Sequence, residues 1–578
     1  MMQLDDYFSL RSVIRVLVRI RIQVAARRRD RAFFQKLVNV SRNNPPPEEI
    51  DSLLPSRRTW SRFRPDRKTR AGKPTDSINT RAIHTCIQHH LEEGTLGQTL
   101  WGAKLLQFTG QLRERLVRNT PLSAGKIVPM ARHRSNKFRL IHRTENLQDR
   151  VFLNLIARYL RGRFDDELDS CVYAFRHRGE KSHSVPVARL LDYRRNHAGE
   201  VLYSAEADIQ KFFDTIGHPV VEESVARFVE KIRNRGEDVD PRALAVIQIA
   251  LDNYSFDDAL EQGRAELRSS GRDHLIATPP EELLSELREK FGPRRFGLPQ
   301  GGSLSPLLAN LVLSHADSMV KAVPGSEQSF YARYCDDILI VHPDENVCQG
   351  MLDEYLKGLS SLGLSAHEPS REPVSEREFF DEKTLLPYRW ASPAIHPGSS
   401  RWVSFLGYHI GHDGNTRLRK STVRNEHDKQ IQLVDRILRT IDNNMPAALL
   451  MPSDVHVHFR AAMRMIAMST GKNRLRTHRR EIGQPCWSDA FPLLESNRSI
   501  AAQLRHLDHG RERQLRRLRR GLIRRGVSDD WPKEWRPLLF THLGAPFSYH
   551  SLLRGRERPG IPDPPQLQSN SQFSAGYS

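Results

Sequence analysis

The segment from Phe330 to His342 (FYARYCDDILIVH) constrains this chain more than any other. Phe330, Tyr331 and Tyr334 precede two adjacent carboxylates, Asp336-Asp337, and Ile338, Leu339, Ile340 and Val341 follow them. Two β-rich arms around a short polar break predict a hairpin with Cys335-Asp336-Asp337 near its turn. Carboxylates that close repel each other, so the pair is costly unless a cation neutralises it. Hard oxygen donors of this kind suit Mg²⁺. Neighbouring strand side chains point to opposite faces, so only one of the two can aim squarely at a given ion. Asp336 is the better placed, with Asp337 as supporting ligand. Taken alone, an Asp-Asp pair at a turn is also ordinary turn chemistry.

A metal pair about 3.5–4 Å apart needs carboxylates from two different chain segments to clamp it. Residues 201–213 (VLYSAEADIQKFF) begin as a strand that runs up to Asp208. Asp208 and Asp336 on neighbouring strands would form such a clamp, with the Ile209 backbone carbonyl as a further donor. A helix N-cap is the competing role for Asp208. For Asp214 a cap or ion-pair role outside the metal site is the stronger reading. Between the two acidic segments lies Phe296 to Pro306 (FGLPQGGSLSP). Gly301-Gly302 lets backbone approach a ligand closely, and Ser303 or Ser305 can cap the apolar helix LLANLVL. An ordinary Gly-rich turn before a helix would look the same.

Charge narrows the partner. The 578 residues carry 89 Lys and Arg against 69 Asp and Glu, a formal net charge of +20. That excess predicts a polyanion, and nucleic acid before a membrane surface. The five cysteines (86, 171, 335, 348 and 486) form no C-x-x-C pair and are odd in number. A disulfide framework and a Cys-rich zinc module are therefore disfavoured, and a reducing, cytoplasmic setting fits. Val13 to Val24 is broken by Arg15, Arg19 and Arg21, which a secretory signal would not tolerate, and no apolar run could span a bilayer.

Residues 1–40 read as a basic amphipathic helix, with Arg11, Arg15 and Arg19 on one face and Val13, Val16, Leu17 and Ile20 on another. RNA contact, membrane contact and a solvated face on a docked helix are all open for it. Asn43 to Pro47 looks like a linker, and residues 55–75 like a basic loop or extended arm. Residues 80–160 are mainly helical, except that Lys126 to Ile141 reads as two short strands around a basic turn. A helical insertion occupies roughly 219–290. In residues 511–525 (RERQLRRLRRGLIRR), Leu515, Leu518 and Leu522 predict a helix docked by its leucines and offering arginines to a partner. The last dozen residues read as a disordered tail.

The order of these motifs resembles reverse transcriptases, especially bacterial ones of the group II intron type. AEADIQKFFDTI is similar to palm motif A, GLPQGGSLSPLLANL to motif B and YCDD to motif C. WVSFLGYHI, centred on Phe405-Leu406-Gly407, resembles the primer grip. Lys137 to Ile141 resembles the fingers motif that holds the triphosphate, and FDDELDSCVYAFRHRGE a second finger motif. The resemblance covers roughly residues 120–415.

It implies an α+β right-hand polymerase: fingers, a palm with an antiparallel sheet, a helical thumb, and mainly helical extensions at both ends. The corresponding division is 1–110 (basic N-terminal extension), 111–415 (fingers and palm), 416–480 (thumb) and 481–578 (basic C-terminal extension with the tail). Asp208, Asp336 and Asp337 would be the metal triad, binding two Mg²⁺ ions with Mn²⁺ as a substitute. Arg139 and Arg132 would bind the triphosphate through their planar guanidinium forks. Gln300 would contact nucleotide or template. Phe213 occupies the sugar-gate position, where a bulky ring collides with a ribose 2′-OH and favours dNTPs.

The implied function is RNA-directed DNA synthesis on an RNA template, with a DNA product and no membrane. Oligomeric state and any partner protein are left open. Departures refine this. Cys335 replaces the usual Ala of motif C. Gly363 to Arg371 lacks the Lys that ends motif D, leaving His367 or Arg371 as stand-in general acids. No retron-type VTG string is present and no Cys-rich endonuclease follows, so by elimination the chain resembles defence-associated (antiphage) enzymes that work with a non-coding RNA. Three other readings compete: a maturase-like RNA-binding protein, an untemplated or protein-primed DNA polymerase, and RNA-templated RNA synthesis, which Phe213 disfavours.

Overall fold

The computed structural model describes residues 2–37, 48–64, 78–118, 120–131, 137–176, 183–368, 382–444, 456–470, 473–474, 479–480, 487–527 and 549. In chain order, α1 (Leu10–Lys36), α2 (Ile78–Glu92) and α3 (Leu100–Arg118) precede the hairpin β1 (Lys126–Ala131) and β2 (Phe138–Arg143). Then come α4 (Leu147–Phe164), α5 (Ser184–Asn196) and β3 (Leu202–Ala207). The expected helical insertion is α6 (His218–Arg233), α7 (Pro241–Asp252), α8 (Phe256–Arg268) and α9 (Glu281–Phe291). The centre of the chain is α10 (Ser305–Lys321), β4 (Phe330–Tyr334), β5 (Asp337–His342), α11 (Glu345–Ser361) and β6 (Leu385–Trp390). It continues through β7 (Trp402–Phe405), β8 (Tyr408–Gly411), β9 (Thr416–Leu418), α12 (Lys420–Asp442), α13 (Val457–Thr470) and α14 (Arg498–Arg524).

The site rests on an antiparallel sheet in the order β4-β5-β3-β6. Strand alternation gives this sheet two buried faces. Ala205 and Ala207 of β3, with Ile338 and Ile340 of β5, pack into the core built on α10 and α11. Leu202 of β3, with Leu339 and Val341 of β5, packs into a second core with Val403, Phe405 and Tyr408 of the β7-β8-β9 sheet. Both faces being covered is why the arms of the hairpin read as continuous apolar runs.

The N-terminal helix docks as its pattern predicts. Val13, Val16, Leu17 and Ile20 are buried, while Arg11, Arg15 and Arg19 are exposed. Leu515, Leu518 and Leu522 of α14 pack on Leu433, Val434 and Ile437 of α12, beside Phe34 from the end of α1. Arg511 departs from its expected outward role: it is fully buried, donating to Asp508 and to Ser469 Oγ. Neither Ser303 nor Ser305 caps α10. Leu304 is at the N-cap, and Ser305 Oγ donates to the Pro299 carbonyl at 2.8 Å. Within 55–75, Arg57–Trp60 is a short helix capped by Ser56 rather than loop. Residues 65–77, the Asn43–Pro47 linker and the C-terminal tail lie outside the described residues.

Behind the hairpin sits a buried ion pair. Arg333 on β4, with 0% exposure, reaches Asp317 on α10 through Nε (2.9 Å) and Nη2 (2.7 Å). Tyr331 Oη also donates to Asp317, at 2.7 Å, and Arg333 Nη1 donates to Asn310 Oδ1 at 3.0 Å. Removing one partner of such a pair leaves an uncompensated buried charge. Asp317→Ala should therefore cost about 3–5 kcal/mol, read as a lower urea midpoint at unchanged slope.

Candidate active site

Tyr334 pairs with Asp337 across the hairpin, so Cys335-Asp336 forms a two-residue loop. Such loops need a positive φ at their first central residue. Cys335 supplies it at φ 63°, a strained value for a side chain with a Cβ. Arg333 Nη1 donates to the Cys335 carbonyl at 3.2 Å, holding the turn from beneath. The turn thus presents Asp336 at the tip, while Asp337 begins β5 on the face shared with Leu339.

The central strand β3 pairs with β5 as far as Ala207 opposite Ile338, so Asp208 emerges directly beside the Asp336-Asp337 end. It caps no helix, because the next helical turn, Phe212–Thr215, has Lys211 at its N-cap. The three carboxylates feel one another. Burial, together with the Asp208 charge, raises the pKa of Asp336. Burial and then the charges of Asp336 and Asp208 push Asp337 up to about 7. Asp337 is exposed to solvent at the start of β5. Arg139, exposed on β2, is near enough for its charge to act on Asp336 in the opposite sense. Arg132 and Arg371 lie outside the described residues.

Asp208 has a neighbour that the motif pattern did not foretell. Lys383, just before β6, donates to Asp208 Oδ2 at 2.7 Å and lies 2.9 Å from His367 Nε2. The His367 amide donates to the Asp208 carbonyl at 3.0 Å. Ile209 bridges Ala366 on the same edge. Among the described residues no three His, Cys, Asp or Glu side chains are gathered into a metal-coordinating cluster.

The Gly-rich segment docks on the other side. The Leu298 amide donates to the Phe213 carbonyl at 2.7 Å and the Gly297 amide to Ile216 at 2.8 Å. Phe213 is half-buried, its ring 5.2 Å from Phe212. Gln300 donates its amide to Asp214 Oδ1 at 2.9 Å. Opposite, Phe405 pairs with Tyr408 around a Leu406-Gly407 turn with φ 47° and 85°. Two successive positive φ values are what a tight hairpin of this twist requires, and glycine serves the second at no steric cost. The Arg419 amide donates to the Gly407 carbonyl at 2.9 Å.

The reverse transcriptase (RNA-dependent DNA polymerase) family model matches residues 274–410, which takes in the Gly-rich segment, the Asp336-Asp337 hairpin and the Phe405-Leu406-Gly407 turn. The chain carries a reverse transcriptase domain. Its enzyme class is RNA-directed DNA polymerase. Among solved structures, telomerase from Candida albicans with a TWJ fragment of telomeric RNA is similar at 14% identity, covering 80% of this chain and 74% of that one, TM-score 0.32. Apo telomerase from Candida tropicalis gives 13% identity, 76% and 72% coverage, and a TM-score of 0.33. Scores this low mark a distant likeness. No curated protein sequence matches the chain.

Sequence reasoning missed two groups at the centre of this reverse transcriptase domain. Glu206 stands two residues before Asp208 on β3, hence on the same face, a relation the strand period could have shown. Its burial raises it to about 7, against the lowering effect of the Tyr388 hydroxyl. Lys383 left no signal, because it lies 175 residues from the carboxylate it meets.

The raised carboxyls set a pH dependence. An unfolded Asp ionises near 4, but folded Asp337 holds its proton to about 7, so the folded state binds more protons between those values. Without divalent cations, stability should fall as pH rises from 4 through 7 and level off above. Thermal melts in EDTA across that range would show it. Asp337→Asn should flatten part of the slope, and Mg²⁺ should reduce it.

Proposed function

We propose that this reverse transcriptase copies an RNA template by attack of a primer 3′-OH on the dNTP α-phosphate, at Asp208, Asp336 and Asp337. The observation that carries this is the meeting of those carboxylates at the β3 end and the β4–β5 turn, where two of them are forced toward protonation. Carboxylates are hard oxygen donors of the kind that suits divalent cations, and a cation would relieve the charges these three press on one another. Asp208, Asp336, Asp337 and the Ile209 carbonyl would hold two Mg²⁺, or Mn²⁺ in their place. Such ions, when bound, lower the pKa of the attacking hydroxyl and neutralise the leaving phosphates.

The chain's own groups do the rest. Arg139, with Arg132, holds the triphosphate. Gln300, oriented by Asp214, touches the nucleotide or template. Phe213 excludes a 2′-OH. The Phe405-Leu406-Gly407 turn supports the primer end. Lys383 and His367, which adjoin Asp208, are the groups positioned to return a proton to the departing pyrophosphate. In this reading the β4-β5-β3-β6 sheet is the palm, β1–β2 belongs to the fingers, and α12–α13 form the thumb.

An RNA partner beyond the active site is supported by a basic stripe between α1 and α4. Arg158 is half-buried, and its pKa is lowered by burial and by the charges of Arg19 and Arg15. Among the described residues no carboxylate pairs with Arg15, Arg19 or Arg158. Arg161 continues the stripe to the Gly-rich segment, donating to the Ser303 carbonyl at 2.8 Å. The apolar face of α1 is already buried, so a membrane has nothing to take up, whereas phosphates need only the exposed charges. A bound non-coding RNA, a group II-like ancestry and an antiphage role are the biological setting that the motif resemblance suggests.

Purified protein should extend a primer on RNA with dNTPs and Mg²⁺, and Asp336→Ala should lower the rate by about a thousandfold or more, as expected when charge stabilisation of several kcal/mol is lost. Extension unaffected by that change would sink the assignment. In the same assay Phe213→Ala should raise NTP use relative to dNTP use. Changing Arg15, Arg19 and Arg158 together to Gln should weaken RNA binding and reduce its log–log salt slope by roughly two to three.

A further inference from the structure

The second core, between the carboxylate sheet and the β7-β8-β9 sheet, is apolar: Leu202, Leu339, Val403, Phe405 and Tyr408 fill it. Glu206 enters this seam from β3. It pairs with Leu339 on one side and Leu385 on the other. One carboxylate oxygen, Oε1, accepts from Tyr388 Oη at 2.8 Å and from the Ser404 backbone amide at 3.4 Å. Ser404 directly precedes the Phe405-Leu406-Gly407 turn. Beyond the turn, Arg419 donates its amide to Gly407, and its charge acts on both Glu206 and Asp337. Contacts therefore run from β3 through Glu206 to β7 and round the turn to the Arg419 backbone.

A carboxylate is an expensive way to fill an apolar seam. Replacing a buried polar group by a well-packed apolar one of similar size is often neutral or stabilising. The contacts Glu206 makes show what its polarity does here: it fastens the backbone of β7 to the strand that ends in Asp208. The distance from the primer-supporting turn to the reacting carboxylates then depends on this bond, since errors of about an ångström in the placing of reactants can cost about a hundredfold in rate.

We propose that Glu206 is a positioning residue for the primer end, locking the Phe405-Leu406-Gly407 turn in register with Asp208 and Asp337. This rests on the polymerase reading above. Glu206 touches neither nucleotide nor reacting atoms. Its effect is on how tightly, and how squarely, the primer terminus is held.

The test compares wild type, Glu206→Gln, Glu206→Leu and Tyr388→Phe, with primer–template and dNTP varied separately and primer–template dissociation followed by fluorescence anisotropy without dNTP. Glu206→Leu should raise the KM for primer–template and speed dissociation by about tenfold, the scale of one hydrogen bond to a charged group. The KM for dNTP should stay within about twofold, as expected when that hydrogen bond contributes nothing to dNTP binding. Glu206→Gln keeps the acceptor and should rescue most of the loss. Tyr388→Phe should shift the primer constants the same way by less.

Primer constants unchanged in Glu206→Leu, or kcat and both KM values worsening in proportion, would overturn the proposal. If Glu206→Leu does not fold, unchanged primer constants in Tyr388→Phe overturn it equally. A wild-type protein that binds primer–template without extending it would defeat the polymerase reading instead, and the anisotropy comparison would still decide the role of Glu206.

Discussion

The structure depends on the buried Arg333–Asp317 pair more than on any other single interaction. Arg333 has no exposure, and its guanidinium is shared among Asp317, Asn310 and the Cys335 carbonyl. Its backbone also joins the segment after α4, donating to Cys171 and accepting from Tyr173. One residue thus ties the hairpin turn to α10 through its side chain and to the segment after α4 through its backbone. In a medium of low polarity such a pair survives only with all its partners in place. The strained turn at Cys335 persists because this clamp over-determines it.

From that anchor the acidic site follows. The two-residue loop puts Asp336 at the hairpin tip, and the antiparallel register brings the end of β3 level with the start of β5. Burial first, and then the neighbouring carboxylate charges, raise the pKa values of Asp336 and Asp337. Because β3 is covered on both faces, one strand serves two cores. Its alanines pack toward α10 and α11, and Glu206 faces the β7-β8-β9 sheet.

The outer surface obeys a simpler rule. Helices α1 and α14 bury leucine and valine stripes and leave most of their arginines outside, Arg511 excepted. Where the arginines of α1 meet those of α4, no carboxylate among the described residues pairs with them. The stripe ends at the Gly-rich segment, beside Gln300 and Asp214.

Local pattern was enough to reveal much of this. β-rich runs marked β3, β4 and β5, the 3.6-residue period marked α1 and α14, and the spacing of Asp208, the LPQGG segment and Asp336-Asp337 marked the candidate site, because each signal lies within one element or its turn. Capping of α10 was misjudged because the Ser305 hydroxyl had a better acceptor in the Pro299 carbonyl, a contact made by the fold of the loop. Lys383 beside Asp208, Glu206 beneath Ser404 and Arg333 on Asp317 were settled only by tertiary structure. The sequence by itself determined which strands and turns carry the carboxylates, since strand period and turn geometry are local. Which charges meet them was decided by packing, since those partners come from strands and helices that only the assembled sheet brings together.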